Sequence, residues 1–190
     1  MDAGDFSLTL VGVSGALVES VSGSGAMYTV TVSTGGGTGT IRLRLVDNDS
    51  IVDSLGNLLG GGGEGNGNHT GQPYSVDKTL PLVFSIMRAS ANPNNASAVD
   101  FTVTFSEAVT GVDAGDFNLI LFGTPDASIT SVSGVGTTYT VTVNSGSGNG
   151  TIRLNLVDDD SIMDMFNHPL GGAGAGNGNF TGQAYTINKP

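Results

Sequence analysis

The chain has 190 residues, 17 of them acidic and only six basic, for a formal net charge of −11. Such a surface repels phosphate backbones and has no basic stripe, which excludes nucleic-acid binding. The absence of cysteine excludes a disulfide framework and a thiolate metal site, and no apolar run reaches the ~18 residues a membrane helix needs.

Charged residues make up 12% of the chain, about half the usual share, while glycine is over-used at 31 residues. Thr, Ser, Val and Asn supply much of the rest. β-Branched residues mixed with Gly, Asn and Asp predict many short strands and many turns. The start, Met1-Asp2-Ala3-Gly4-Asp5, has neither a basic nor an apolar region, so a secreted parent would carry its signal upstream.

Self-similarity organises the chain. Asp2-Ala3-Gly4-Asp5-Phe6 recurs as Asp113-Ala114-Gly115-Asp116-Phe117, an offset of 111 residues. The same offset links Tyr28-Thr29-Val30-Thr31-Val32 to Tyr139-Thr140-Val141-Thr142-Val143 and Gly65-Asn66-Gly67-Asn68 to Gly176-Asn177-Gly178-Asn179. Residues 2–78 align with 113–189 without a gap, and about 60% of positions are identical. A period near 110 is too long for a solenoid turn and about the size of an immunoglobulin-like domain.

Residues 1–78 therefore form a first copy that lacks its two opening strands. Such a copy is expected to leave an apolar face and an open edge. Either the missing strands lie upstream in a longer array, or a strand from another copy fills the gap in trans, a route to a filament. The second copy, 79–190, is predicted to hold seven strands, at 81–90, 99–106, 117–122, 127–132, 138–143, 151–157 and 183–188. Alternation points Val99, Phe101, Val103 and Phe105 inward. Tyr139, Val141 and Val143 follow the same rule, as do Ile152, Leu154, Leu156, Tyr185 and Ile187. All four tyrosines fall at alternating strand positions, which reads as core. No segment shows a useful helical period. The expectation is an all-β chain of tandem antiparallel immunoglobulin-like β-sandwiches.

Acidic residues cluster in two connections. Asp113 and Asp116 lie between the second and third strands. Asp158, Asp160 and Asp164 open the long connection before the last strand, which Asn177 and Asn179 close. Their counterparts in the first copy are Asp2, Asp5, Asp47, Asp49, Asp53, Asn66 and Asn68. In an immunoglobulin-like topology these loops meet at the pole where the chain enters, beside the linker residue Asp77. Carboxylates and amide carbonyls are hard ligands suited to Ca²⁺, which would stiffen a joint between neighbours. The competing reading is that Asp, Asn and Gly simply make turns. The spacing is not that of an EF-hand, because Ile162 stands where a ligand is needed.

Other motifs carry less. The tract from Gly60 to Asn68 is followed by no Gly-Lys-Ser/Thr, so a long surface loop is expected rather than a phosphate loop. His69 aligns with Phe180 and His168 with Asn57, which makes exposed loop histidines the expectation and a catalytic base a poor one. Lys78 and Lys189 end the last strand rather than entering a core, against an isopeptide staple. Asn48, Asn68, Asn95 and Asn179 fit the N-x-Ser/Thr pattern, which is cheap in so Asn- and Ser-rich a chain.

The segments from Val112 to Phe117, Thr138 to Val143 and Leu156 to Ile162, with the Gly-Asn-Gly-Asn loop, resemble bacterial immunoglobulin-like repeats of large surface and secreted proteins. The resemblance implies an extracellular stalk, adhesin or fibre and no enzymatic activity. Its partners would be neighbouring repeats of the same protein, other copies in a filament, or a glycan or surface receptor. A carbohydrate-binding module is the third reading; it would need an exposed aromatic platform, and the chain has no Trp.

Overall fold

Period-two alternation of β-branched and aromatic residues with Thr, Ser and Asn sets the strands, because successive side chains of an extended backbone face opposite ways. A computed structural model describes all 190 residues. The chain is all-β, with 52% of residues in strands, and every paired strand runs antiparallel. The only helical turns are two short 3-10 segments, so no helix could cross a membrane. Two compact units result, Met1–Thr79 and Leu80–Pro190.

The first unit holds β1 (Phe6–Val11), β4 (Gly39–Leu45) and β5 (His69–Val76) in one sheet ordered β1-β4-β5. A separate hairpin pairs β2 (Val18–Ser24) with β3 (Met27–Val32). The second unit pairs β8 (Phe117–Phe122), β10 (Gly150–Leu156) and β11 (Phe180–Ile187) as β8-β10-β11. Opposite them lie β6 (Val83–Arg88), β7 (Ala98–Val109) and β9 (Ser128–Asn144), ordered β6-β7-β9. The two sheets share one core, consistent with a β-sandwich.

That core is what the alternation predicts. Val99, Phe101, Val103 and Phe105 of β7 are all buried, as are Val141, Val143, Ile152, Leu154 and Ile187. Two core residues come from the long β10–β11 connection, Ile162 and Leu170, which the strand pattern did not flag. The twelve inward-facing residues expected in the second copy are all buried, but the reading of all four tyrosines as core does not hold. Tyr139 and Tyr185 are buried, whereas Tyr28 is half-buried and Tyr74 is 75% exposed.

β9 is a hairpin rather than a single straight strand, and so accounts for two of the predicted strands. Thr130 Oγ1 donates to the Thr142 carbonyl at 3.1 Å, so the two arms lie side by side. Gly134, at φ 146°, lies against Tyr139 across the hairpin; a Cβ there would sit 2.6 Å from Tyr139 Cα, a distance no side chain tolerates. Gly182 has a related role at the bulge where β11 slips past β10 between Arg153 and Asn155. A Cβ on Gly182 would lie 2.6 Å from Ile86 Cγ2 and run into the Leu154 carbonyl, so its absence lets β6 pack on β11.

Candidate functional site: the acidic loops and the open trough

Each acidic loop is built on aspartates that reach back to backbone N–H groups. Asp113 caps a 3-10 turn over Ala114–Asp116, accepting from the Gly115 N–H, while Asp116 Oδ2 accepts from the Asp113 N–H at 2.6 Å. This reciprocal capping box leaves Asp116 buried. Ser161 Oγ then donates to Asp116 Oδ1 at 2.7 Å, which ties the β7–β8 connection to the start of the β10–β11 connection. Burial pushes the Asp116 carboxyl up, against the pull of the Asp113 N–H and the Ser161 hydroxyl.

Asp158 organises the rest. Its Oδ2 accepts from the N–H groups of Gly176 and Gly178, both at 3.0 Å, and its Oδ1 accepts from the Asp160 N–H at 3.2 Å. Its own N–H donates to Asn179 Oδ1 at 2.7 Å. Asp160, held at φ 67°, accepts the Gly174 N–H on Oδ2, and Asn177 Nδ2 donates to the Gly172 carbonyl. The glycines at 174 and 176 have positive φ, which turns their N–H groups toward the aspartates.

The same bonds recur 111 residues earlier. Asp2 donates its N–H to Asp5, Ser50 Oγ donates to Asp5, and Asp47 accepts from Asp49 and Gly67. Asp47 donates to Asn68, Asp49 accepts from Gly63, and Asn66 Nδ2 reaches the Gly61 and Gly62 carbonyls. Asp77 lies apart from these loops within the first unit, accepting from Thr38 Oγ1 and the Thr79 N–H. Neither unit alone gathers three acidic or histidine ligand atoms around one point. One oxygen in each loop stands out: Asp49 Oδ1 and Asp160 Oδ1 are buried and accept no hydrogen bond.

Asp164 forms a separate turn. Its Oδ1 accepts from the N–H groups of Phe166 and His168, and its Oδ2 lies 2.8 Å from His168 Nδ1. His168 is therefore a half-buried loop staple, which corrects the expectation of an exposed histidine. In the first unit Asn57 takes the same place, donating its side-chain N–H to Asp53. A common requirement for a donor opposite this aspartate was the signal that the His168–Asn57 alignment held.

Burial pushes the Asp164 carboxyl up, but the donors on His168 and Phe166 outweigh it and hold the group below the usual carboxylate range. A depressed value contributes stability that is complete above the unfolded pKa of about 3.9 and fades as pH falls through the folded one. Urea midpoints of the natural chain and of Asp164→Asn should differ most near about pH 6 and converge toward about pH 2. A gap that stays constant would assign the loss to shape instead of charge.

Comparison with protein-family models, curated proteins and solved structures finds no match.

The second feature is a trough in the first unit. Tyr28, Val30, Val32, Ile41, Leu43 and Tyr74 line an apolar groove of about 400 Å³ between the β2–β3 hairpin and the β1-β4-β5 sheet. The buried residues beside it are few: Val13, Ala16 and Ile41. The sequence order explains this, since no segment of the first unit corresponds to β6 and β7.

Proposed function

We propose that the chain is a structural or adhesive repeat segment of an extracellular array of immunoglobulin-like β-sandwiches, without enzymatic activity. The observation that carries this reading is that the two copies share their loop hydrogen bonds as well as their strands. Asp47 and Asp158, Asp49 and Asp160, and the Ser50–Asp5 and Ser161–Asp116 pairs make equivalent bonds. A loop scaffold repeated to that level presents one surface many times over, which suits a module whose role is to be repeated. The low charge density and the excess of acidic residues favour solubility outside a cell. Antibodies raised against the second unit should label the surface of intact source cells or their secreted material. Labelling confined to lysed cells would overturn the reading.

Calcium in the pole loops is a second reading, favoured by the buried and unbonded oxygens of Asp49 and Asp160. Hard oxygens of this kind suit Ca²⁺, although most neighbouring carboxylate oxygens are already engaged by N–H donors. Calorimetric titration with Ca²⁺ should give saturable heat that is lost when Asp49 and Asp160 are both changed to alanine. Absence of heat from the natural chain would leave the loops as hydrogen-bonded turns.

A further inference from the structure

We infer that the trough of the first unit is a docking site for a further copy of the β6–β7 hairpin, supplied by another repeat. The second unit shows what covers this surface. Tyr139, Val141, Val143, Ile152, Leu154 and Tyr185 stand 111 residues after Tyr28, Val30, Val32, Ile41, Leu43 and Tyr74, with identical residue types at all six positions. In the second unit all six are buried: β7 pairs alongside Tyr139, Val141 and Val143, and its Phe101 packs on Tyr185.

The contacts are specific. Phe101 meets the Tyr185 ring edge-on at 5.1 Å, and Phe105 meets Tyr139 at 5.8 Å. The Tyr185 hydroxyl donates to the Asp100 carbonyl and accepts from the Ser90 N–H, both at 2.9 Å, while Tyr139 donates to the Val109 carbonyl at 2.8 Å. Every one of those partners lies on the β6–β7 segment or the turn joining its strands. The first unit keeps both tyrosines and has no strand to receive them, so Tyr74 is 75% exposed where Tyr185 is fully buried.

Register follows from the paired strands. β7 places Val99 opposite Val143, Phe101 opposite Val141 and Val103 opposite Tyr139. Transposed by the repeat, an incoming strand of this type sets the same three residues opposite Val32, Val30 and Tyr28. It would hydrogen-bond along the open edge of β3, the geometry of strand addition, with pockets choosing alternate side chains. A helix or a polar loop could not satisfy that edge and fill the trough together.

The test uses the full 190-residue chain and a synthetic peptide of residues 80–111. Calorimetry should give saturable one-to-one binding, and hydrogen exchange should slow at Met27–Val32. A peptide with Phe101→Lys and Val103→Lys should not bind, and Tyr74→Lys in the chain should weaken binding at least tenfold; Tyr74 is exposed, so that variant keeps its fold. A second arm joins another copy of residues 80–111 ahead of Met1, which should shield Tyr74 from solvent and raise the melting point of the first unit. No binding together with an unshielded Tyr74 in the joined chain overturns the proposal. So does a dimer of the chain alone, by sedimentation, that protects Met27–Val32 and dissolves in Tyr74→Lys, since the occupant would then be the whole second copy. Neither result depends on where the protein resides, so the surface-labelling outcome stands or falls separately.

Discussion

Tyr185→Ala is expected to destabilise the second unit by about 3–5 kcal/mol, the range for truncating a large buried aromatic, while Tyr74→Ala should leave the first unit almost unchanged. The two residues occupy equivalent strand positions, and only their surroundings differ. Tyr185 is fully buried against Phe101 and its hydroxyl joins the Ser90 N–H to the Asp100 carbonyl. Removing the ring opens a cavity and takes the acceptor from the Ser90 N–H, while the Asp100 carbonyl keeps the Ala89 N–H at 3.0 Å; removing Tyr74 removes an exposed ring. Tyr185→Phe separates the parts, with an expected cost of about 1 kcal/mol for the lost hydroxyl bonds. Urea unfolding followed by amide exchange at β10 and at β4 reads each unit separately. Equal losses at the two positions would mean that the first unit's trough is closed in solution.

The second large effect concerns the loop. Asp158→Ala should cost about 2–4 kcal/mol, because the Asp160 and Gly178 N–H groups lose their acceptor, each unsatisfied buried donor costing about 1–3 kcal/mol, while the Gly176 N–H keeps the Asp158 main-chain carbonyl at 2.9 Å. Asp158 is itself buried, and the Gly178 N–H that it accepts is buried with it. The damage extends into the core, since the same connection delivers Ile162 and Leu170 to the space between the sheets. Asp158→Asn keeps one acceptor oxygen and should lose roughly half as much. Exchange at Asp160 and Gly178 should accelerate in both variants. A loss below about 1 kcal/mol for the alanine variant would show that water replaces the carboxylate without penalty.

Strand faces were legible because alternation is a property of the extended backbone itself. Phe101 and Val103, two apart, share a face whatever partner strand arrives, and β8 runs over the predicted residues 117–122. Strand ends were less legible: β7 continues to Val109, beyond the predicted 106, because partners on β9 and the Thr110–Met163 bridge extend its pairing. The hairpin within β9 was visible as two alternating runs separated by glycine, though only the Thr130–Thr142 bond shows that they lie side by side.

The acidic loops were legible as clusters but not as chemistry. Asp, Asn and Gly at these spacings serve equally for binding an ion and for making turns. Which prevails depends on what reaches the carboxylates, and the N–H groups that do so on Asp158 come from glycines 18 and 20 residues away. His168 shows the same limit, since its bond to Asp164 exists only because the chain turns tightly between them.

The alternating faces and the 111-residue duplication are written in the order of residues along one strand or one chain, and so are readable before any folding. Tertiary structure alone decided exposure. Tyr74 and Tyr185 sit on equivalent strands with the same inward direction, yet one is solvated and the other sealed, because burial depends on whether a second sheet is present to cover a face.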